Sequence, residues 1–92
     1  MTEPLVPERP KLAPGVRLHL DKTRDAWVLL SPERIIEAEG PASEILRRCD
    51  GAHTVSEIID ELAVVYAADR DVIARDVNDM LAELTGKRLL IA

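Results

Sequence analysis

Hydrophobic and polar positions change period twice along this chain. From Val16 to Asp21 they alternate, with Val16, Leu18 and Leu20 on one side and Arg17, His19 and Asp21 on the other. That is the period-two pattern of a strand with one buried face. A polar connector, Lys22 to Asp25, leads into Ala26-Trp27-Val28-Leu29-Leu30, a continuous apolar run suited to a more central strand. Ser31-Pro32-Glu33-Arg34 forms the next turn with Pro32 at its second position, and a short third strand follows over Arg34 to Ala38. Short connections favour neighbouring antiparallel strands, so the simplest sheet is a meander whose third strand lies at an edge.

Beyond Gly40 the period becomes helical. Ala42, Ile45, Leu46 and Cys49 share one face, and Gly51 is placed to stop this helix, because it lacks the Cβ that makes left-handed backbone costly. Thr54 and Glu57 form a T-x-x-E capping box at the start of a second helix, whose apolar stripe is Val55, Ile58, Ile59, Leu62, Val65 and Tyr66. Asp69 caps a third helix with Ile73, Val77, Met80, Leu81 and Leu84 on its inner face and Gly86 at its end. Lys87 to Ile91 returns as a tail whose apolar residues close the core.

The predicted fold class is α+β, winged helix-turn-helix-like, with an N-terminal three-stranded antiparallel sheet followed by three α-helices. Residues 1–14 contain Pro4, Pro7, Pro10 and Pro14 and read as a flexible arm ahead of a single domain over residues 15–92. Such an arm can also dock on a partner or be exchanged between two copies, so a homodimer formed by exchange of the arm or of strands stays open.

Composition narrows the chemistry. With no Phe, one Trp and one Tyr, the core must be aliphatic. Formal charge is −5, and the imbalance lies in residues 49–92, which hold nine acids and four bases. A nucleic-acid binder needs a basic surface, because phosphate neutralisation supplies most of its affinity. Cys49 is the single cysteine and reads as a small buried hydrophobe. His19 and His53 lack convergent ligands at metal-site spacing and read as solvated, and the four glycines are isolated at element boundaries. No catalytic constellation and no metal or cofactor site is expected, so the chain reads as a non-enzyme. No stretch has the length and apolarity of a signal peptide or a membrane span, and the expected compartment is the cytoplasm.

The chain resembles the PqqD family of pyrroloquinoline quinone biosynthesis from about Pro10 to Leu90. The resemblance rests on Leu12-Ala-Pro-Gly-Val-Arg-Leu18, on Val28-Leu-Leu-Ser-Pro-Glu33, and above all on Ala42-x-x-Ile-Leu-x-x-Cys-Asp-Gly51 followed by Thr54-Val-x-Glu-Ile58. Asp76-Val77, Met80-Leu81 and Leu84 resemble the family's final helix. One departure is Glu37-Ala-Glu-Gly40, where the family's strand would end in a small polar residue such as Asn. The resemblance implies a winged-helix-like recognition domain that binds the leader of the precursor peptide PqqA. It also implies presentation of that peptide to PqqE, a radical S-adenosylmethionine enzyme.

An open strand edge can accept a peptide as an added strand. Ile35, Ile36, Glu37 and Ala38 are the expected edge, and Val72, Arg75, Asp76 and Met80 of the third helix the facing wall. Ile35 and Ile36 point to opposite faces, so one belongs to the core and the other is the expected pocket residue. A proline at Ile36 is expected to weaken docking by removing a donor. The alternative is a winged-helix DNA-binding regulator. Against it, the third helix carries Asp69, Asp71, Asp76, Asp79 and Glu83 with only Arg70 and Arg75, a charge that repels phosphate.

Overall fold

The structure is a computed structural model that describes residues 6–91. In chain order its elements are β1 (Lys11–Leu12), β2 (Arg17–Asp21), β3 (Ala26–Leu30), β4 (Ile35–Ala38), α1 (Pro41–Arg47), α2 (Val55–Val65), α3 (Arg70–Gly86) and β5 (Leu90–Ile91). The mixed α+β architecture read from the sequence is observed, with the antiparallel meander β2-β3-β4 in the expected order. Its register aligns Leu18, Leu29 and Ile36 across the sheet, and likewise Leu20, Trp27 and Ala38. These residues share the face that meets the helices, because successive strand side chains alternate. Leu29, Ile58, Leu62, Val77 and Leu81 are the most deeply buried apolar side chains and join sheet, α2 and α3 in one aliphatic core.

The helix starts follow their sequence signals. The Thr54 hydroxyl accepts from the Glu57 N–H at 3.1 Å, and the Glu57 carboxylate accepts from the Thr54 N–H at 2.8 Å. The Asp69 carboxylate accepts from the Asp71 N–H at 2.9 Å. Helix ends depart from expectation in part. α1 stops at Arg47, before the Asp50-Gly51 turn, although Cys49 stays buried as expected and its thiol donates to the Ile45 carbonyl at 3.3 Å. Gly51 takes the expected left-handed backbone, φ +80°, three residues past the helix cap, and a Cβ there would also lie 3.3 Å from the Lys11 side chain, which crosses the turn.

α3 ends at Gly86, as read from the sequence, but the left-handed position of its cap falls two residues later, on Arg88 with φ 63°. The Leu89 N–H donates to the Leu84 carbonyl at 2.9 Å and the Arg88 N–H to the Thr85 carbonyl at 3.0 Å. This is a Schellman cap, completed by burial of Leu84 and Leu89. α2 ends the same way on Ala67, φ 48°, with Ala68 N–H to Ala63 and Ala67 N–H to Val64. Left-handed backbone at a residue with a Cβ costs roughly 1 kcal/mol, a cost offset here by turning Leu89 and Leu90 into the core. Val65 and Tyr66, expected inside, are 52% and 38% exposed, because the last turn of α2 projects past the core.

The loose N-terminal arm is corrected for residues 6–14. Pro10 and Ala13 are buried. The Pro10 carbonyl accepts from Gly51 at 3.0 Å, the Glu8 carbonyl from Val55 at 3.1 Å, and the Ala13 N–H donates to Leu89 at 2.9 Å. β1 then pairs antiparallel with β5, Lys11 opposite Ile91 and Leu12 opposite Leu90, a second small sheet that the sequence reading did not contain. Prolines lack a donor but keep their acceptor, and the segment straps α2 and the chain end through such carbonyls. The part of the predicted arm over residues 1–5 lies outside the described residues. Among the described residues no helix is long and apolar enough to cross a membrane.

Candidate functional site

β4 is an edge strand, hydrogen-bonded to β3 on one side only. Which of its backbone groups are open follows from the hairpin. The Ser31 N–H donates to the Arg34 carbonyl at 3.0 Å, which makes Ser31 and Arg34 a hydrogen-bonded pair. Bonded and non-bonded pairs alternate in an antiparallel ladder. Ile36 opposite Leu29 and Ala38 opposite Trp27 are therefore bonded to β3, and the N–H and C=O groups of Ile35 and Glu37 turn outward to the free edge. Two successive outward residues present the donor and acceptor spacing that another extended chain requires.

Beside this edge lies a groove of about 200 Å³. Ile36, Glu37 and Ala38 form one wall, Met80, Glu83, Leu84 and Lys87 of α3 the other, and Leu29, Ala42 and Leu46 the floor. Its lining is mainly aliphatic, with Met80 half-buried at the mouth, where an unbranched thioether can adapt to different occupants. Charge sits at its rim. Glu37 pairs with Arg24 at 2.9 Å and Glu83 with Lys87 at 3.0 Å, both exposed pairs that an incoming peptide can displace at little cost.

Of the residues singled out in the sequence, Ile36, Glu37, Ala38 and Met80 meet in this groove. Ile35 lies on the opposite sheet face, 71% exposed beside Leu30, so the pocket isoleucine is Ile36, the one on the core side. Val72, Arg75 and Asp76 are exposed on α3 one to two turns before Met80 and do not line the groove. The Ile36 proline argument also changes: the Ile36 N–H faces β3, and the outward donor is that of Glu37. Glu83 and Lys87 were missed, although they stand three and seven positions after Met80 on the same helix face. The sequence reading puts Glu83 on the solvent side of the helix and Lys87, the residue just past its end, in the tail.

The corner between α1 and α2 holds the other concentrated polar chemistry. His53, expected to be solvated, bonds through Nδ1 to Asp50 at 2.9 Å and through Nε2 to Glu61 at 3.2 Å. The hydrogen bond to Asp50 raises the His53 pKa, and the same bond holds Asp50 down to about 2. Burial pushes the Cys49 thiol up to about 12, so it stays protonated and unreactive. Among the described residues, no group of three or more His, Cys, Asp or Glu side chains is placed to hold a metal ion.

Known proteins share this fold. The profile of coenzyme PQQ synthesis protein D (PqqD) matches residues 26–90. A protein named PqqA binding protein from Rhodopseudomonas palustris (strain TIE-1) is 51% identical over 82 residues, covering 89% of this chain and 80% of that protein. The solution NMR structure of the PqqD truncation of Methylobacterium extorquens PqqCD superposes with a TM-score of 0.80 at 39% identity, over 99% of this chain and 100% of that one. That domain is described as a functional, stand-alone recognition element for ribosomally synthesized and post-translationally modified peptides. The crystal structure of PqqD from Xanthomonas campestris gives a TM-score of 0.62 at 41% identity, over 88% of this chain and 90% of that one.

Proposed function

The chain belongs to the PqqD family, and on that footing we propose that it binds the leader segment of the precursor peptide PqqA and presents it to the enzyme PqqE, contributing no catalytic group of its own. The observation that carries this reading is the open edge of β4 beside the aliphatic groove of α3. A leader in extended conformation adds to the sheet through the outward groups of Ile35 and Glu37. Alternate side chains then enter the space between Ile36 and Met80. Main-chain bonds supply affinity that depends little on sequence, and the groove supplies selection. A domain that holds the leader by its backbone leaves the rest of the precursor free for an enzyme to act on. The names of the relatives point the same way.

The test is titration of the ¹⁵N-labelled protein with a synthetic PqqA peptide, followed by addition of PqqE. Amide shifts concentrated on Ile35 to Ala38 and on Met80 to Lys87 are expected, with broadening of the whole complex when PqqE is added. Shifts confined to other surfaces would remove the groove, and no shifts with an intact fold would remove PqqA as ligand. Absence of broadening with PqqE would leave peptide binding standing and remove presentation.

A further inference from the structure

At the hairpin end lies a second cleft of about 280 Å³, lined by Val16, the Ser31 to Arg34 turn, Lys87, Arg88 and Leu89. Lys87 lines both spaces, which therefore adjoin at the end of α3. Arg34, Lys87 and Arg88 border this cleft against one carboxylate, Glu33. This concentrates three of the chain's twelve cationic side chains in an otherwise acidic protein. Lys87 is engaged by Glu83, whereas Arg34 and Arg88 make no ion pair among the described residues.

Arg88 carries a second anomaly. It occupies the left-handed position of the α3 cap, φ 63°, where glycine would be relaxed, while Gly86 sits two residues earlier with no steric need for its missing Cβ. Strained backbone retained against an easier residue is a pointer to use of the side chain. Offsetting the negative end of the α3 dipole is one such use, but it is served equally by Lys87 one residue before.

Building on the groove reading above, we propose that Arg88 and Arg34, with Lys87, form an anion subsite that receives an Asp or Glu side chain of the bound peptide. Arg34 lies two positions before Ile36 on the same strand face. The peptide selected therefore carries an apolar residue over Ile36 and Met80 and a carboxylate about two residues away, at the hairpin end. The guanidinium groups fit a carboxylate through paired N–H donors.

The experiment measures Kd by calorimetry at low salt for wild type, Arg88→Gly, Arg88→Lys and Ala67→Gly. Each is titrated with a synthetic PqqA peptide and with the same peptide bearing amides in place of its Asp and Glu side chains, and Tm is recorded throughout. Arg88→Gly is expected to weaken the acidic peptide about fivefold to tenfold without lowering Tm, and to leave the amidated peptide's affinity unchanged. Arg88→Lys should fall between wild type and Arg88→Gly, since it keeps the charge and loses the paired donors. Ala67→Gly relieves the same backbone strain away from the cleft and should leave Kd unaltered. Equal affinity of Arg88→Gly and wild type, or an equal loss for both peptides, overturns the subsite. If Arg88→Gly lowers Tm, Arg34→Gln replaces it under the same criteria. A wild-type protein that binds neither peptide overturns the function beneath the subsite, and is told apart in that way.

Discussion

The corner between α1 and α2 and the groove between β4 and α3 use similar residues to opposite ends. At the corner every strong polar group finds its partner within the chain. Arg48 donates to the Glu44 carbonyl and carboxylate at 3.0 Å and to Glu61 at 2.9 Å, His53 links Asp50 to Glu61, and the capping box closes the start of α2. At the groove the partners are withheld. Ile35 and Glu37 turn their backbone groups to an open edge, Met80 is half-buried, and in the adjoining cleft Arg34 and Arg88 make no ion pair among the described residues. Internal satisfaction fixes one conformation; groups left unsatisfied at a solvent-exposed edge retain their bonding capacity for a partner. The corner is built as scaffold, and the groove is the surface we propose for peptide binding.

Glu37→Pro attacks the open side most directly. It removes the outward donor while the ladder bonds of Ile36 and Ala38 to β3 survive, and proline is tolerated on an edge strand. Affinity for a PqqA peptide is expected to fall at least about tenfold with circular dichroism unchanged. A native spectrum with unchanged Kd would take this edge out of the binding mode. Thr54→Ala attacks the closed side, and a loss of about 1 kcal/mol in urea unfolding is expected. Its Kd should match wild type; a parallel loss of affinity would show that scaffold and groove are coupled.

The smallest effect concerns His53. Its pKa is raised in the fold, first by the Asp50 hydrogen bond, so its contribution is complete below the ordinary value of 6.5 and is lost as pH rises through the raised one. Asp50 behaves inversely: held at about 2, it contributes above its ordinary 3.8 and loses that contribution as pH falls toward 2. Tm of the wild type should therefore decline by about 2 °C as pH rises from near 6 to above 8. His53→Gln should flatten that decline, measured by thermal melts across pH, and a wild type as flat as the variant would show that the pair is fully screened by solvent.

Local signals carried most of the fold. β3 and β4 stand where the apolar run and the Ser31-Pro32 turn placed them, and the Thr54 and Asp69 caps are as read, because each depends on residues within a turn of one another. What stayed hidden depends on distant parts of the chain. Two-residue strands such as β1 and β5 have no periodicity of their own and exist only because Lys11 and Ile91 meet. The cap at Arg88 is set by where Leu89 must go, not by the nearest glycine. His53 looked solvated because Glu61 lies eight residues on, across the turn into α2. For the groove, an edge strand and a helix face were legible, but not which isoleucine faced inward; that follows from cross-strand register with Leu29.

The pairing of Lys11 with Ile91 brings the beginning and the end of the described chain side by side, running in opposite directions. The two strands lie next to the Asp50 turn that bridges to Lys11, while residues 6–8 run on to the start of α2. Neighbouring termini are the condition under which a unit can be spliced into a larger chain, or its ends joined and reopened elsewhere, without disturbing the interior. A linker long enough to run from Ile91 past β1 to Val6, with new ends cut in the exposed Lys22 to Asp25 turn, would give a permuted protein that keeps β4 and α3 in place. The recognition surface would then be portable as a cassette.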